Sequence, residues 1–230
     1  YRLIAFMLYH FFKRLEDIFF AIIILIIFSP AIIIFSFLLL IIQGWPVFYI
    51  CKRMIKKDKE ISIMKFRTMV KDAKSKKYNI SKYMREGYLD VPLSSRVYTK
   101  IGKFLEKTQL VEVPQVLHVL FGQISFIGNR PLPKENIELL KKKYPIDWYK
   151  RFESPCGMTG ISQVVGKFNL NSKQRLELEA LYSKVYQEGN VLKADAYIFF
   201  STIIVLLLKS SVAYRSYDSA KNVLLSCLNK

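Results

Sequence analysis

Hydrophobic residues in the first fifth of the chain run together instead of alternating with polar ones. Between Ile18 and Ile50 there is no charged residue. As a helix, Ile18 to Ile42 would reach about 37 Å, longer than the roughly 30 Å hydrocarbon core of a bilayer. The run is too long for the apolar region of a signal peptide and lacks a small-residue cleavage site. A single spanning anchor is the simplest reading, and two features argue against it. Ser29-Pro30 lies near the middle, and proline removes a backbone donor and crowds the preceding turn, so helices kink or break there. Both flanks are basic: Lys13 and Arg14 before, Lys52, Arg53, Lys56 and Lys57 after. A spanning helix satisfies the cytoplasmic preference of basic flanks at one end only. A re-entrant helix-break-helix, entering and leaving by one face, satisfies it at both ends. Ser29 could then offer its hydroxyl to carbonyls freed at the break. Residues 1–45 are accordingly expected to form a membrane module.

After Gly44-Trp45-Pro46 the pattern becomes mixed, and residues 46–230 read as one small membrane-associated globular domain. Val47–Ile50 and Ile61–Phe66 have strand character, with a basic turn between them. Ala73–Asp90 is polar and reads as a loop or mobile helix. Ile101–Thr108 and Val113–Phe121 have helical spacing, the second opened by Pro114. Gly122–Pro133 gathers two glycines and two prolines around Asn129-Arg130, which suits a binding loop. Lys134–Lys143 and Lys173–Gln187 read as helices. Ala194–Leu208 is apolar but short for a span, which suits an interfacial or buried helix. The fold class is α/β, mostly helical.

Composition narrows the partners. Hydrophobic residues make up 52% of the 230-residue chain, mean hydropathy is +0.19, and the formal net charge is +18. So large a positive charge favours an anionic partner, and an apolar segment flanked by cations favours a membrane surface among these. No standard nucleic-acid motif or aromatic–basic stacking repeat is present, so nucleic acid is not expected. Three scattered cysteines make no disulfide framework, and two histidines without paired cysteines argue against a zinc site. His118 reads as a packing or surface residue.

Several segments, in order, resemble the bacterial sugar transferase family, the monotopic polyprenyl-phosphate phosphoglycosyl transferases. They begin with Lys13-Arg14-Leu15-Glu16-Asp17-Ile18 and Ser29-Pro30. Pro46-Val47-Phe48 with Arg53, then Lys65-Phe66-Arg67-Thr68-Met69, come next. Arg96 to Gly102 leads into Phe104-Leu105, followed by Glu112-Val113-Pro114-Gln115, Gly122 and Gly128-Asn129-Arg130-Pro131. Gly157-Met158-Thr159-Gly160, Gln163-Val164, Glu179 and Tyr182 complete the series. The resemblance implies a helix-break-helix dipping into the inner leaflet of the bacterial cytoplasmic membrane from the cytoplasm. It also implies transfer of a sugar-1-phosphate from a nucleotide diphosphate sugar to polyprenyl phosphate, with Mg²⁺, at the start of polysaccharide or glycoconjugate synthesis. Membrane lipids are a further expected contact, and a homodimer is left open.

Carried over residue by residue, the resemblance assigns Glu112 to the metal and makes it the remaining candidate for a catalytic carboxylate. Arg130 matches a phosphate-binding arginine whose fork suits bidentate contact. Lys65, Arg67 and Arg96 are further phosphate candidates, each with a solvated surface role as the alternative. Lys13 and Asp17 are expected to anchor the membrane module, and Glu179 and Asp195 to be structural acids. One departure is chemical. The family's Asp-Glu dyad reads Val111-Glu112 here, and valine has no oxygen with which to attack phosphorus or bind metal. Asn129, Cys156 and Ser94-Ser95 also depart from the family pattern. Two functions follow: a transferase using another group or direct attack by the carrier phosphate, or a non-catalytic homologue that binds lipid phosphate or nucleotide sugar as a partner subunit.

Overall fold

The computed structural model describes residues 2–85, 88–166, 169–208 and 214–228. The apolar N-terminal run forms one helix, α1 (Arg2–Gln43), with Pro30 inside it. Helical backbone runs without a gap through Ser29-Pro30, the step where the break is expected. Pro30 has no N–H for the carbonyl of Ile26, and the hydroxyl of Ser29 donates to that same carbonyl at 3.2 Å. The acceptor orphaned by the proline is thus satisfied locally, as the freed-carbonyl role of Ser29 anticipates, without interrupting the helix. Gly44, at φ +67°, ends α1 and returns its N–H to Leu40 O at 3.0 Å, a left-handed helix stop.

One stripe of α1 packs on the rest of the protein. Lys13, Asp17, Ala21 and Leu39 are buried on it, while Phe12, Phe19, Ile26, Ile33, Phe37 and Ile41 on the other side are exposed. Both ends of the helix meet the same body. Near the start, Lys13 Nζ pairs with Asp195 at 2.6 Å, and Asp17 accepts from Ser125 Oγ at 2.9 Å and Phe126 N at 2.8 Å. Arg14 donates to the carbonyls of Val119 and Leu120. Near the other end, Gln43 donates to Thr99 Oγ1 at 2.8 Å. The charged flank before the apolar run is thus an anchor, and Asp195 is a structural acid.

The strands are short and pair in twos. β1 (Phe48–Met54) and β2 (Glu60–Phe66) form an antiparallel hairpin with Phe48 opposite Phe66 and Tyr49 opposite Lys65. Between residues 80 and 89, β3 (Met84–Arg85) and β4 (Tyr88–Leu89) form a second pair after a 3₁₀ turn. Two short helices follow, α2 (Lys100–Thr108) and α3 (Val116–Leu120), joined by a 3₁₀ segment over Leu110–Gln115. Thr99 caps α2, accepting from Gly102 N at 3.0 Å. β5 (Ser125–Ile127) pairs in parallel with the distant β6 (Gly157–Thr159), with α4 (Lys134–Lys143) between them.

The C-terminal third is helical: α5 (Ile161–Val165), α6 (Ser172–Glu188), α7 (Val191–Leu208) and α8 (Tyr217–Leu228). A reciprocal capping box between Asn171 and Gln174 starts α6. Ile161, Val164, Leu178, Tyr182, Val185, Ile198 and Leu224 form the main core among these helices. α7 buries Ala194, Ile198 and Ser201 and exposes Phe200, Leu207 and Leu208. By length and composition alone, α1 and α7 could each cross a membrane. The predominantly helical character agrees with the sequence reading, whereas α8 and β6 were not anticipated by it.

Candidate phosphate site

The 3₁₀ segment begins after Gln109, which adopts the left-handed conformation at φ 63° and reverses the chain at the end of α2. Successive side chains then point to different surroundings. Val111, 5% exposed, packs with Leu39 of α1 and with Val47, Phe66 and Leu105. Glu112 turns toward β2. Its Oε1 accepts from Lys65 Nζ at 2.5 Å and from Arg130 Nη2 at 2.8 Å. Three residues far apart in sequence, Lys65, Glu112 and Arg130, are therefore one cluster. Burial pushes the Glu112 carboxyl up, but the Arg130 and Lys65 cations outweigh it and hold the group well below the usual carboxylate range.

Arg130 is presented by a loop with little freedom. Gly128 and Gly157 bring two backbones together: a Cβ on Gly157 would lie 2.1 Å from Gly128 N, so neither position tolerates a side chain without movement. Asn129, 1% exposed, is the pin. Its Nδ2 lies 2.8 Å from Arg151 O, 3.1 Å from Ser154 Oγ, 3.0 Å from Glu179 O and 3.1 Å from Ser183 Oγ. Arg151, fully buried, donates from Nη2 to Arg130 O at 2.5 Å and lies 3.2 Å from Glu179 Oε2. Ser162 Oγ donates to the other Glu179 oxygen at 3.0 Å. Glu179 is thus a structural acid beneath the loop. Asn129 thus has a definite packing role, and Cys156 likewise is buried with its Sγ 3.6 Å from Ile55 O.

Lys65 and Arg130 line a shallow cleft with Arg53 and Gln115 over an apolar floor of Ile63 and Met158. No carboxylate lines it among the described residues; Glu112, paired with Lys65 and Arg130, is not among the lining side chains. Gln115 is buried, and its Nε2 has no hydrogen-bond partner. Two sequence candidates lie apart from this cluster. Arg67 donates from Nη2 to the carbonyls of Gln43 and Gly44, at 2.7 and 2.9 Å, and so closes the C-terminal end of α1. Arg96 is exposed on the turn before α2. His118 accepts from Met64 N at Nε2, 3.1 Å away, and meets Gln123 at Nδ1, so it ties β2 to the turn after α3 as a structural residue. Sequence reasoning used Arg53 and Gln115 as markers of resemblance without giving them a site role. Nothing in the sequence signalled Arg151.

The residues present do not fit the Mg²⁺ implied by resemblance. Among the described residues no three His, Cys, Asp or Glu side chains gather to hold a metal. The side chain at position 111 offers no oxygen, and Oε1 of Glu112 already accepts from two cations. A bound Mg²⁺ usually has at least one carboxylate facing the substrate phosphates.

The sequence profile of the bacterial sugar transferases matches residues 8–209. This chain belongs to the bacterial sugar transferase family. It is 31% identical over 84% of its length to a UDP-glucose:undecaprenyl-phosphate glucose-1-phosphate transferase of Klebsiella pneumoniae. It is 28% identical over 87% of its length to a UDP-N-acetylgalactosamine-undecaprenyl-phosphate N-acetylgalactosaminephosphotransferase of Aeromonas hydrophila. Against these two relatives it spans only 39% and 44% of their lengths. With the exopolysaccharide production protein ExoY of Sinorhizobium fredii it shares 28% identity, over 83% of each chain. As a bacterial sugar transferase it sits among proteins named for UDP-sugars and undecaprenyl phosphate, and its exposed apolar helix is consistent with membrane association.

Proposed function

We propose that this chain binds a UDP-sugar and undecaprenyl phosphate at the cytoplasmic face of the bacterial inner membrane and moves the sugar-1-phosphate to the carrier. The observation that carries this reading is the convergence of Lys65 and Arg130 on Glu112 beside Arg53, an anion-binding cleft on a body tied to an apolar helix. Both substrates are anionic, and fixed cations stabilise a phosphoryl group in place and in the transition state. Neither dyad position offers a free carboxylate, so the reading is direct attack. An oxygen of the carrier phosphate bonds to the phosphorus bearing the sugar, the bond from that phosphorus to the bridging oxygen breaks, and UMP leaves.

Residues 1–45 serve as the membrane module, with both ends of α1 on the cytoplasmic side. Attachment of Lys13 and Gln43 to one globular body supports this, because a spanning helix separates its ends by a bilayer. Cysteines substituted for Phe12 and Lys52 should both resist a membrane-impermeant maleimide applied to intact spheroplasts. Labelling of only one would mean a span.

The decisive assay supplies undecaprenyl phosphate and a panel of UDP-sugars and measures UMP. Release of UMP, lost in Arg130→Ala and without a phosphosugar adduct on the protein, supports direct transfer. The burial of Val111 in an apolar cluster favours a second reading, a non-catalytic homologue that binds the same ligands. UDP-sugar binding with no UMP release under any condition selects it.

A further inference from the structure

We infer that the cleft holds the diphosphate of its nucleotide ligand through protein cations alone, without a divalent metal, and that Gln115 supplies a neutral donor to the same group. This rests on the reading of the cleft as a nucleotide-sugar site.

The charge arrangement carries the inference. Arg53, Lys65 and Arg130 line the cleft, and no carboxylate lines it among the described residues. A divalent ion between a protein carboxylate and a phosphate normally relieves the repulsion of two anions. Here Glu112 is already neutralised by Lys65 and Arg130 and is not itself among the lining side chains. Two singly charged cations joined to one anion leave a net positive charge on the cluster, and Arg53 adds another. That surplus meets the charge of a diphosphate directly. Glu112 then acts as a counter-ion that sets the positions of Lys65 and Arg130, as a positioning residue and not as a metal ligand.

Gln115 is the independent observation. It is 5% exposed, lines the cleft, and keeps a buried amide nitrogen with no partner. An unpaired buried donor is costly, so its presence beside three cations marks a place where an acceptor oxygen can arrive. With Val111 turned into the apolar core, Glu112 is the one carboxylate of the pair, and its Oε1 is taken by Lys65 and Arg130.

The test is calorimetric titration of UDP into the detergent-solubilised chain, once with excess EDTA and once with millimolar Mg²⁺. Affinity in the two buffers should agree within about threefold. Lys65→Ala and Arg130→Ala should each weaken binding about ten- to a hundredfold, the usual scale for a charge-assisted contact. Gln115→Leu should weaken it several-fold in both buffers. Glu112→Gln separates the alternatives. It should change UDP binding by the same factor in both buffers if Glu112 is a counter-ion, whereas a loss confined to the Mg²⁺ buffer would mark a metal ligand. Thermal unfolding of each variant confirms that it is folded. Binding seen only with Mg²⁺ and abolished in Glu112→Gln overturns this inference and leaves the proposed function standing. Binding in neither buffer overturns both.

Discussion

Replacing Val111 with aspartate puts a carboxylate where the sequence resemblance expects one, and the structure predicts that it will harm the protein before it can help catalysis. Val111 is 5% exposed and surrounded by Leu39, Val47, Phe66 and Leu105. The substitution removes apolar burial worth about 1.5–3 kcal/mol and puts in a polar group whose uncompensated burial costs a further ~1–3 kcal/mol. A total near 3–5 kcal/mol would lower the melting temperature by about 6–20 °C in a chain of this size. The loss should depend on pH. Burial raises the folded-state pKa of the new carboxyl above its unfolded value of about 3.9. Near pH 4 the folded state is largely protonated and the unfolded chain only about half ionised, so the charge adds little. As pH rises the unfolded chain ionises first, and the penalty grows by about 1.4 kcal/mol per unit until the buried group also ionises. Thermal unfolding in detergent at pH 4 and pH 7 measures this, with Val111→Ala as a control that makes a cavity without a charge. A Val111→Asp protein that melts within a degree or two of the parent at both pH values would refute the packing account. If it also released UMP, position 111 would have to face the cleft.

Other perturbations have equally specific outcomes. Glu112→Gln should destabilise at neutral pH, because the native carboxyl is held below its unfolded pKa. That stabilisation is complete above about pH 4.3 and disappears as pH falls toward the depressed folded value, so the difference from the parent shrinks in acid. Lys13→Ala leaves Asp195 buried without its cation and should cost about 3–5 kcal/mol, read by thermal unfolding; Lys13→Met with Asp195→Leu should recover part of it. Asn129→Ala should cost about 1–3 kcal/mol and weaken UDP binding through Arg130, while Asn129→Asp, which loses the amide donor, should not rescue it. Ser29→Ala, which leaves the carbonyl of Ile26 without its hydroxyl partner, should lower stability in a bilayer-like detergent by no more than about 1 kcal/mol.

The sequence alone was sufficient for whatever depends on local pattern. An uncharged run is apolar wherever it folds, so α1 and its association with a membrane were legible, as were the helices beginning near Lys100, Lys134 and Ser172, each marked by its periodicity or cap. The order of motifs was enough for the family, and the identity of Val111 was enough to exclude its own side chain as a nucleophile, because a side chain without oxygen lacks that chemistry in any fold. Which cations meet Glu112 was decided by tertiary structure. Lys65, Arg67 and Arg96 each carry a surface role as the alternative in sequence, yet of these only Lys65 joins Arg130 at the carboxylate, because β2 and the loop after β5 both pack against the 3₁₀ segment. Arg67 serves the end of α1 instead. The same holds at Pro30: proline predicts a missing hydrogen bond, but whether the helix breaks depends on what reaches the orphaned carbonyl, and here the neighbouring hydroxyl does. Contacts between residues distant in the chain have no local signature, since they arise from how already formed elements bury their surfaces together.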